Sequence, residues 1–293
     1  MQAALEAATG LRFRTASASA PVSVGAGGGF AACQCWESES GPVFVKLAPI
    51  AREPALEAEA DALRELATAQ AVRVPRVLGC GSSGAQAFLA LEWIEFASPR
   101  PATEVAFGEQ LARLHRVTAS RFGWHRDNSI GATPQRNDWT PDWVEFFGRH
   151  RLGFQLDLAE RSGHGGRWLE HGHRLCDRIG AFFAGHSPQP SLLHGDLWGG
   201  NWAADASGAP VMFDPATYYG DREADLAMTR LFGGFGSEFH AAYESAWPLD
   251  RSAAARRDLY NLYHVLNHLN LFGGSYRAQA ESLVDRLLAA AGQ

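Results

Sequence analysis

An α+β fold in two lobes is what this sequence predicts: a small antiparallel sheet carrying one main helix, then a larger, mostly helical lobe. Three observations predict it. The first part of the chain alternates apolar and polar residues between glycines, with strand-like runs at 42–47 and 87–94 and one long helical stretch between them. A proline-rich break follows at Ala97-Ser98-Pro99-Arg100-Pro101. Beyond it, apolar residues recur mostly at helical spacing. The break divides the chain into an N-terminal lobe, 1–95, and a C-terminal lobe, 96–293.

In chain order, residues 2–9 are rich in Ala, Leu and Glu and read as a short helix. The run 22–30 reads as a hairpin whose turn holds Gly25, Gly27, Gly28 and Gly29. Such a turn permits positive φ, and its free N–H groups can cradle phosphate oxygens. It is equally the composition of a merely flexible hairpin, and no Gly-Lys-Ser/Thr follows it. The strand 42–47 carries Lys46 among apolar neighbours. A lone lysine of that kind ordinarily sits at a strand edge with its stem reaching solvent. The helix 54–70 opens on Pro54 and brings Glu59 onto the face of Leu63. Glu57 would point about 160° away from Glu59. Strand 77–78, a glycine turn at 79–84 and strand 87–94 complete the lobe.

In the second lobe, Phe107, Leu111, Leu114 and His115 mark a helix, with His115 read as a packed residue. Residues 121–138 read as an irregular surface segment. The stripe of Trp139, Trp143, Phe146, Phe147, Leu152, Leu156 and Leu158 reads as core. Further helices are expected at 169–183, 238–247, 255–272 and 278–291. His171 and His173 are two apart, do not share a helix face and make a poor metal pair.

The bulk properties narrow the function. The 293 residues are 46% hydrophobic and 20% charged, a folded globular composition with a substantial core. A net charge of −6 argues against nucleic-acid binding. Cys33, Cys35, Cys80 and Cys176 form no zinc spacing and read as reduced thiols. The first ten residues lack a signal-peptide pattern, and no apolar run is long enough to span a membrane. The expected setting is cytoplasmic, without a membrane partner.

The chemistry is concentrated in one stretch. Leu192-Leu193-His194-Gly195-Asp196-Leu197-Trp198-Gly199-Gly200-Asn201 is followed by Val211-Met212-Phe213-Asp214-Pro215-Ala216. An acid at the end of one apolar run, an Asn five positions later and a second acid at the end of another run suit phosphoryl transfer. Asp196 is the candidate base toward a substrate hydroxyl. Asn201 and Asp214 are oxygen ligands suited to Mg²⁺. Glycine hairpin, strand lysine and acidic helix follow one another in the order of a kinase nucleotide lobe, so Lys46 is assigned to the ATP phosphates and Glu59 to its ion-pair partner. The main chain of Glu92, Trp93 and Ile94 is placed against adenine, and His194 behind its loop. Asp225, in the first turn of a helix, otherwise reads as compensation of the helix dipole.

Three features separate the chain from protein kinases. Trp198 stands where those carry a lysine two after the catalytic Asp, the metal strand reads Phe213-Asp214-Pro215, and no Ala-Pro-Glu follows. The pattern instead resembles the protein-kinase-like small-molecule kinases of the aminoglycoside phosphotransferase and choline kinase type. Within that group, His194 to Asn201, Phe213-Asp214-Pro215-Ala216 and the run from Tyr219-Gly220-Asp221-Arg222-Glu223 through Asp225 to Met228 resemble the fructosamine kinase (ketosamine-3-kinase) family. Gly27-Gly28-Gly29, Phe44-Val45-Lys46, Val74-Pro75, Thr133-Pro134-Gln135, Gln155-Leu156 and Leu271-Phe272-Gly273-Gly274 agree. Phe30 departs from the small or polar residue frequent in that family. The resemblance implies ATP and Mg²⁺, and transfer to the 3-hydroxyl of ketosamines on small amines or glycated protein lysines, in protein deglycation. It implies the base role for Asp196, adenine contacts for Glu92-Trp93-Ile94, loop bracing by Asp225, and substrate or loop-bracing roles for His194, Trp198 and Asp221. An aminoglycoside- or choline-type transferase and a catalytically silent pseudokinase are the alternative readings.

Overall fold

The computed structural model describes residues 1–14 and 31–292. Its elements are α1 (Gln2–Thr9), β1 (Ala32–Ser38), β2 (Gly41–Pro49), α2 (Glu53–Thr68), β3 (Val77–Ser83), β4 (Gln86–Glu92), β5 (Phe96–Ala97), α3 (Pro101–His115), β6 (Asn128–Ile130), β7 (Thr133–Gln135), α4 (Trp143–Phe146), α5 (Phe154–Arg161), α6 (Arg167–Cys176), β8 (Ser191–Leu193), β9 (Trp202–Asp205), β10 (Pro210–Met212), β11 (Tyr218–Gly220), α7 (Glu223–Leu231), α8 (Ser237–Ala246), α9 (Ala253–Phe272) and α10 (Arg277–Ala290). The hairpin read at 22–30, with Gly27, Gly28 and Gly29, lies outside the described residues. The chain forms two compact units. Unit 1 comprises Met1–Leu114, Gly199–Ala216 and Gly236–Ala246; unit 2 comprises His115–Trp198, Thr217–Phe235 and Trp247–Gln293.

Unit 1 is built on an antiparallel sheet of order β1-β2-β4-β3. Alternation along β2 turns Val43, Val45 and Leu47 inward, where they pack with Leu5, Phe13, Phe88 and Ala90. Because β2 lies between β1 and β4, Lys46 is not at a sheet edge; it is buried, opposite Leu89 on one side and Cys33 on the other. Residues 79–83, read as part of a turn, instead continue β3. Their glycines serve packing: a Cβ on Gly79 would stand 2.8 Å from the carbonyl oxygen of Ala8, so α1 can lie against the strand only where the side chain is missing. A second sheet of order β10-β9-β5 belongs to the same unit. Its Trp202 packs at a tilt against Phe107 of α3, which meets Phe239 of α8.

Unit 2 is mostly helical. Its short β8–β11 pair aligns Tyr218 with Leu193, immediately before His194. The aromatic stripe is core as expected, with Trp143, Phe146, Phe147, Leu152 and Leu156 buried, although the helix widens to π winding over Phe147–Gly153 between α4 and α5. Two expectations are corrected. Residues 121–138 are not merely an irregular surface segment: they contain the β6–β7 hairpin and bury Phe122, Trp124, Gln135 and Asn137. Gln135 accepts from the Tyr263 hydroxyl and Asn137 from Arg151, so their polar groups are met inside the unit. The helix expected over 169–183 ends at Cys176 and resumes as a 3₁₀ turn over Ile179–Phe183.

Candidate active site

In unit 1 the antiparallel β9–β10 hairpin pairs Met212 with Trp202. The residues just beyond that pair, Asn201 and Phe213–Asp214, therefore emerge side by side at its open end. Phe213 N–H donates to the Asn201 carbonyl at 3.0 Å, and the Asn201 amide reaches the Asp214 carbonyl at 3.5 Å. Asp214 has φ +56°, a left-handed conformation uncommon for a residue with a side chain. That turn of the backbone directs its carboxylate to Lys46, whose Nζ lies 2.6 Å from Asp214 Oδ1 and 2.6 Å from Glu59 Oε1. Backbone strain of this kind clusters where a side chain must be aimed.

The electrostatics follow from burial. Removal from water works against the Lys46 ammonium, but the charges of Asp214 and Glu59 overcome it and hold its pKa above the ordinary lysine value. Burial moves Glu59 the other way from an exposed glutamate, its pKa raised against the pull of Lys46. Glu59 is thus the partner that helix geometry selects, and Glu57 is exposed.

The segment at Glu92 is held by a pair the sequence did not suggest. Arg73 donates to Glu92 Oε1 and to Asp205 Oδ2, each at 2.5 Å. Asp205 in turn accepts from Ser207 and from Ala209 N–H, and these contacts keep its pKa down at about 2. Glu92 N–H donates to the Arg76 carbonyl at 2.9 Å.

In unit 2, β8 delivers His194, Gly195 and Asp196. Gly195 has φ +85°, which lets the chain turn directly after the strand. The turn exposes two N–H groups to one buried carboxylate: Asp225 accepts from His194 N–H and from Gly195 N–H, each at 2.8 Å. His115 Nε2 stands 3.2 Å from Asp225 Oδ2. Burial raises the Asp225 pKa, but the His115 contact and the loop N–H groups outweigh it and the net shift is downward. Burial also lowers the pKa of His115, so the ring is neutral and its Nε2–H is the donor. Asp225 is therefore more than a helix-dipole charge. His194 is fully buried and accepts the Asp196 N–H at Nδ1, 3.3 Å away. Trp198 N–H donates to the Asp196 carbonyl at 3.1 Å, and both side chains are half-buried. Asp221 accepts from Tyr260 and from Glu223 N–H at the start of α7.

Unit 1 thus brings together Lys46, Glu59, Asn201 and Asp214, and unit 2 brings together His194, Asp196 and Asp225. His115 and Arg73 were missed as members of these groups. The Leu114-His115 pair ending an apolar helix was the available signal for the first; nothing in the pattern marked the second.

Comparison with known proteins agrees over the whole chain. The family profile described as fructosamine kinase matches residues 2–290. A Synechocystis protein named "Probable ketoamine kinase" is 46% identical over 246 residues, 84% of this chain and 82% of its own length. A rice protein named protein-ribulosamine 3-kinase, chloroplastic, is 41% identical over 265 residues, 89% of this chain and 77% of its own. A solved structure from Haemophilus somnus, provisionally named fructosamine-3-kinase, superposes with a TM-score of 0.88 at 28% identity, covering 98% of this chain and 96% of that one. An aminoglycoside phosphotransferase solved with ADP and hygromycin B superposes with a TM-score of 0.67 at 14% identity, over 100% and 99% of the two chains, which shows a shared protein-kinase-like fold. With the family profile matching residues 2–290 and relatives above 40% identity, the chain belongs to the fructosamine kinase family.

Proposed function

We propose that this kinase transfers the γ-phosphoryl group of ATP to the 3-hydroxyl of ketosamines, on free amines or on glycated protein lysines, as a step in protein deglycation. The observation that carries the reading is the Lys46–Glu59–Asp214 cluster, with Asn201 beside Asp214 on the same hairpin end. Lys46 supplies the fixed cation for the phosphates and Glu59 holds it in place. Asp214 and Asn201 offer oxygen donors, the set that a hard divalent cation takes, and we assign Mg²⁺ to them. When bound there, Mg²⁺ would neutralise phosphate charge. The bound ion would draw Asp214 from Lys46, leaving Glu59 as the lysine's standing partner.

In unit 2, Asp196 accepts the hydroxyl proton of the acceptor, while Asp225 fixes the two residues before it. Trp198 is proposed to lie against the acceptor and His194 to support the turn. The nucleotide role falls to unit 1, with adenine against the main chain of Glu92, Trp93 and Ile94; Gly27, Gly28 and Gly29 are assigned to the phosphates. The names of the relatives support a ketoamine acceptor over an aminoglycoside or choline, whose kinases share only the fold.

The test is a purified-enzyme assay with fructosyl-lysine and ribulosyl-lysine beside aminoglycosides and choline. Turnover of a ketoamine to the 3-phosphate is expected. Turnover of an aminoglycoside or choline alone would replace the reading. Asp196→Asn is expected to lower kcat by about 10²-fold or more with nucleotide affinity unchanged, as loss of a general base does.

A further inference from the structure

Unit 2 holds a charged cluster that the reaction described above does not use. Its centre is His186, in the loop before β8. His186 Nε2 lies 3.1 Å from Asp221 Oδ2 and 3.7 Å from Glu223 Oε1, and His186 Nδ1 lies 2.8 Å from Asp250 Oδ2. The ring therefore touches a carboxylate at each nitrogen.

The protons in the cluster can be counted. Asp221 accepts the Tyr260 hydroxyl at 2.5 Å and Glu223 N–H at 3.0 Å. The Tyr260 oxygen itself receives Trp143 Nε1–H, so its single proton goes to Asp221. Asp250 accepts Arg256 at 2.6 Å and both the N–H and the hydroxyl of Ser252. Both aspartates are thus placed as acceptors. A neutral imidazole has one N–H and would leave its other nitrogen facing an oxygen lone pair. Nε2 makes the hydrogen bond to Asp221 and Nδ1 stands in ion-pair range of Asp250, so a protonated ring meets carboxylate charge on both sides.

The cluster has the look of a metal site, since His186, Glu223 and Asp250 offer ligand atoms within 4.8 Å of one another. Its chemistry is otherwise. The two histidine nitrogens face different acids, and Arg256 already binds Glu223 through two nitrogens and Asp250 through one of them. The groups facing His186 are Asp221 at the β11–α7 junction, Glu223 in α7, Asp250 before α9, and Arg256 and Tyr260 in α9. Three carboxylates against one guanidinium leave the place of a second cation, which His186⁺ fills.

We propose that His186 is a positioning residue, an imidazolium clamp that ties the loop before β8 and the segment entering α9 to the first turn of α7, and so holds Asp225 on the His194–Gly195 turn. Asp225 stands two residues after Glu223 in that same turn of α7. Arg222 fastens the neighbouring segment by donating to the carbonyls of Trp247 and Pro248. Hydrogen bonding to Asp221 raises the His186 pKa, with the charges of Asp221 and Glu223 adding to it against burial and Arg256. A histidine with a raised folded-state pKa stabilises fully below the unfolded value, about 6.5, and that stabilisation is lost as pH rises through the folded value. The clamp's contribution is therefore full on the acid side and is lost as pH rises through the raised folded value.

The activity arm of this inference rests on the proposed kinase reaction; the titration arm does not. The experiment follows the His186 imidazole by NMR titration of the ¹⁵N-histidine-labelled full chain, using His186→Gln to assign the signal, and records kcat and KM for ATP against pH in both proteins. The expected result is a His186 midpoint above the free-histidine value. His186→Gln should lower kcat severalfold at neutral pH, remove part of its alkaline fall and leave KM for ATP unchanged. Asp250→Asn, which removes one acid from the clamp, should lower the His186 midpoint, and it keeps the proposal testable if His186→Gln does not fold. A midpoint at or below the free value overturns the clamp whether or not the enzyme turns over a ketoamine. A raised midpoint with kcat and its pH profile unaltered in His186→Gln overturns the positioning role. Failure of the wild type to phosphorylate ketoamines while the midpoint is raised would instead count against the proposed acceptor.

Discussion

At the scale of single residues, two carboxylates share one lysine. Lys46 is held equally close by Glu59 and Asp214, 2.6 Å from each. If Asp214 holds a divalent ion as proposed, Glu59 would be the residue that keeps the ammonium in place. Glu59→Gln should therefore cost little in the nucleotide-free protein, where Asp214 still pairs with Lys46, and more in the nucleotide complex. A charge-assisted hydrogen bond is worth about 1.5–3 kcal/mol, so kcat/KM for ATP should fall by roughly 10- to 100-fold. Thermal unfolding of the free variant together with steady-state kinetics checks both halves; a large loss of stability without nucleotide would contradict them. Lys46, Glu59, Asn201 and Asp214 were legible in the sequence because order along the chain and helical phase select them. The Lys46–Asp214 contact was not, because it depends on a left-handed φ at Asp214 that no residue pattern announces.

At the scale of elements, α7 and β8 are joined through one buried acid. Asp225 accepts two main-chain N–H groups and faces the His115 ring, all out of water. Asp225→Asn puts an NH₂ group against a donor, and a buried donor left unmet costs about 1–3 kcal/mol. The wild-type contribution has a definite sign with pH. A carboxyl whose folded pKa lies below its unfolded value, about 3.9, stabilises above that value, and the gain is lost as pH falls through the folded one. Asp225→Asn should therefore lower stability at neutral pH and flatten the acid limb of a denaturation profile; an unchanged acid limb would show that other carboxylates set it. A second element-level contact explains the misreading of 79–84. Glycines in sequence suggest a turn, but Gly79 is in β3 because α1 crosses it, and that closeness comes from a helix at the far start of the chain. Gly79→Ala should destabilise by about 1–3 kcal/mol, the usual cost of forcing atoms into a filled contact. Chemical denaturation gives the value directly, and a neutral result would mean that α1 is free to shift.

At the scale of the whole molecule, the α+β character was legible because each part keeps its own pattern: short apolar runs between glycines through β2 and β4, helical spacing through α9 and α10. What periodicity does not carry is the joining of distant segments. Residues 199–216 belong to the same compact unit as the first strands, through Phe107 on Trp202 and Lys46 on Asp214. This grouping gives a prediction for the intact protein. If Lys46, Asn201 and Asp214 serve one nucleotide, its binding must stabilise the fold by mass action. At a free concentration about 100-fold above Kd the gain is about 2.7 kcal/mol. For a chain of this size that is a rise in Tm of several degrees. ADP with Mg²⁺ should produce the rise, and removing the divalent ion with a chelator should shrink it. Lys46→Met should lose it as well, even where the variant's own Tm is unchanged, because the phosphates then meet no fixed cation. Differential scanning calorimetry of the two proteins, with nucleotide and ion added separately and together, measures each of these shifts. An equal rise in wild type and Lys46→Met would mean that the nucleotide binds without touching this cluster, and the assignment of Lys46, Asn201 and Asp214 to its phosphates and metal would have to be given up.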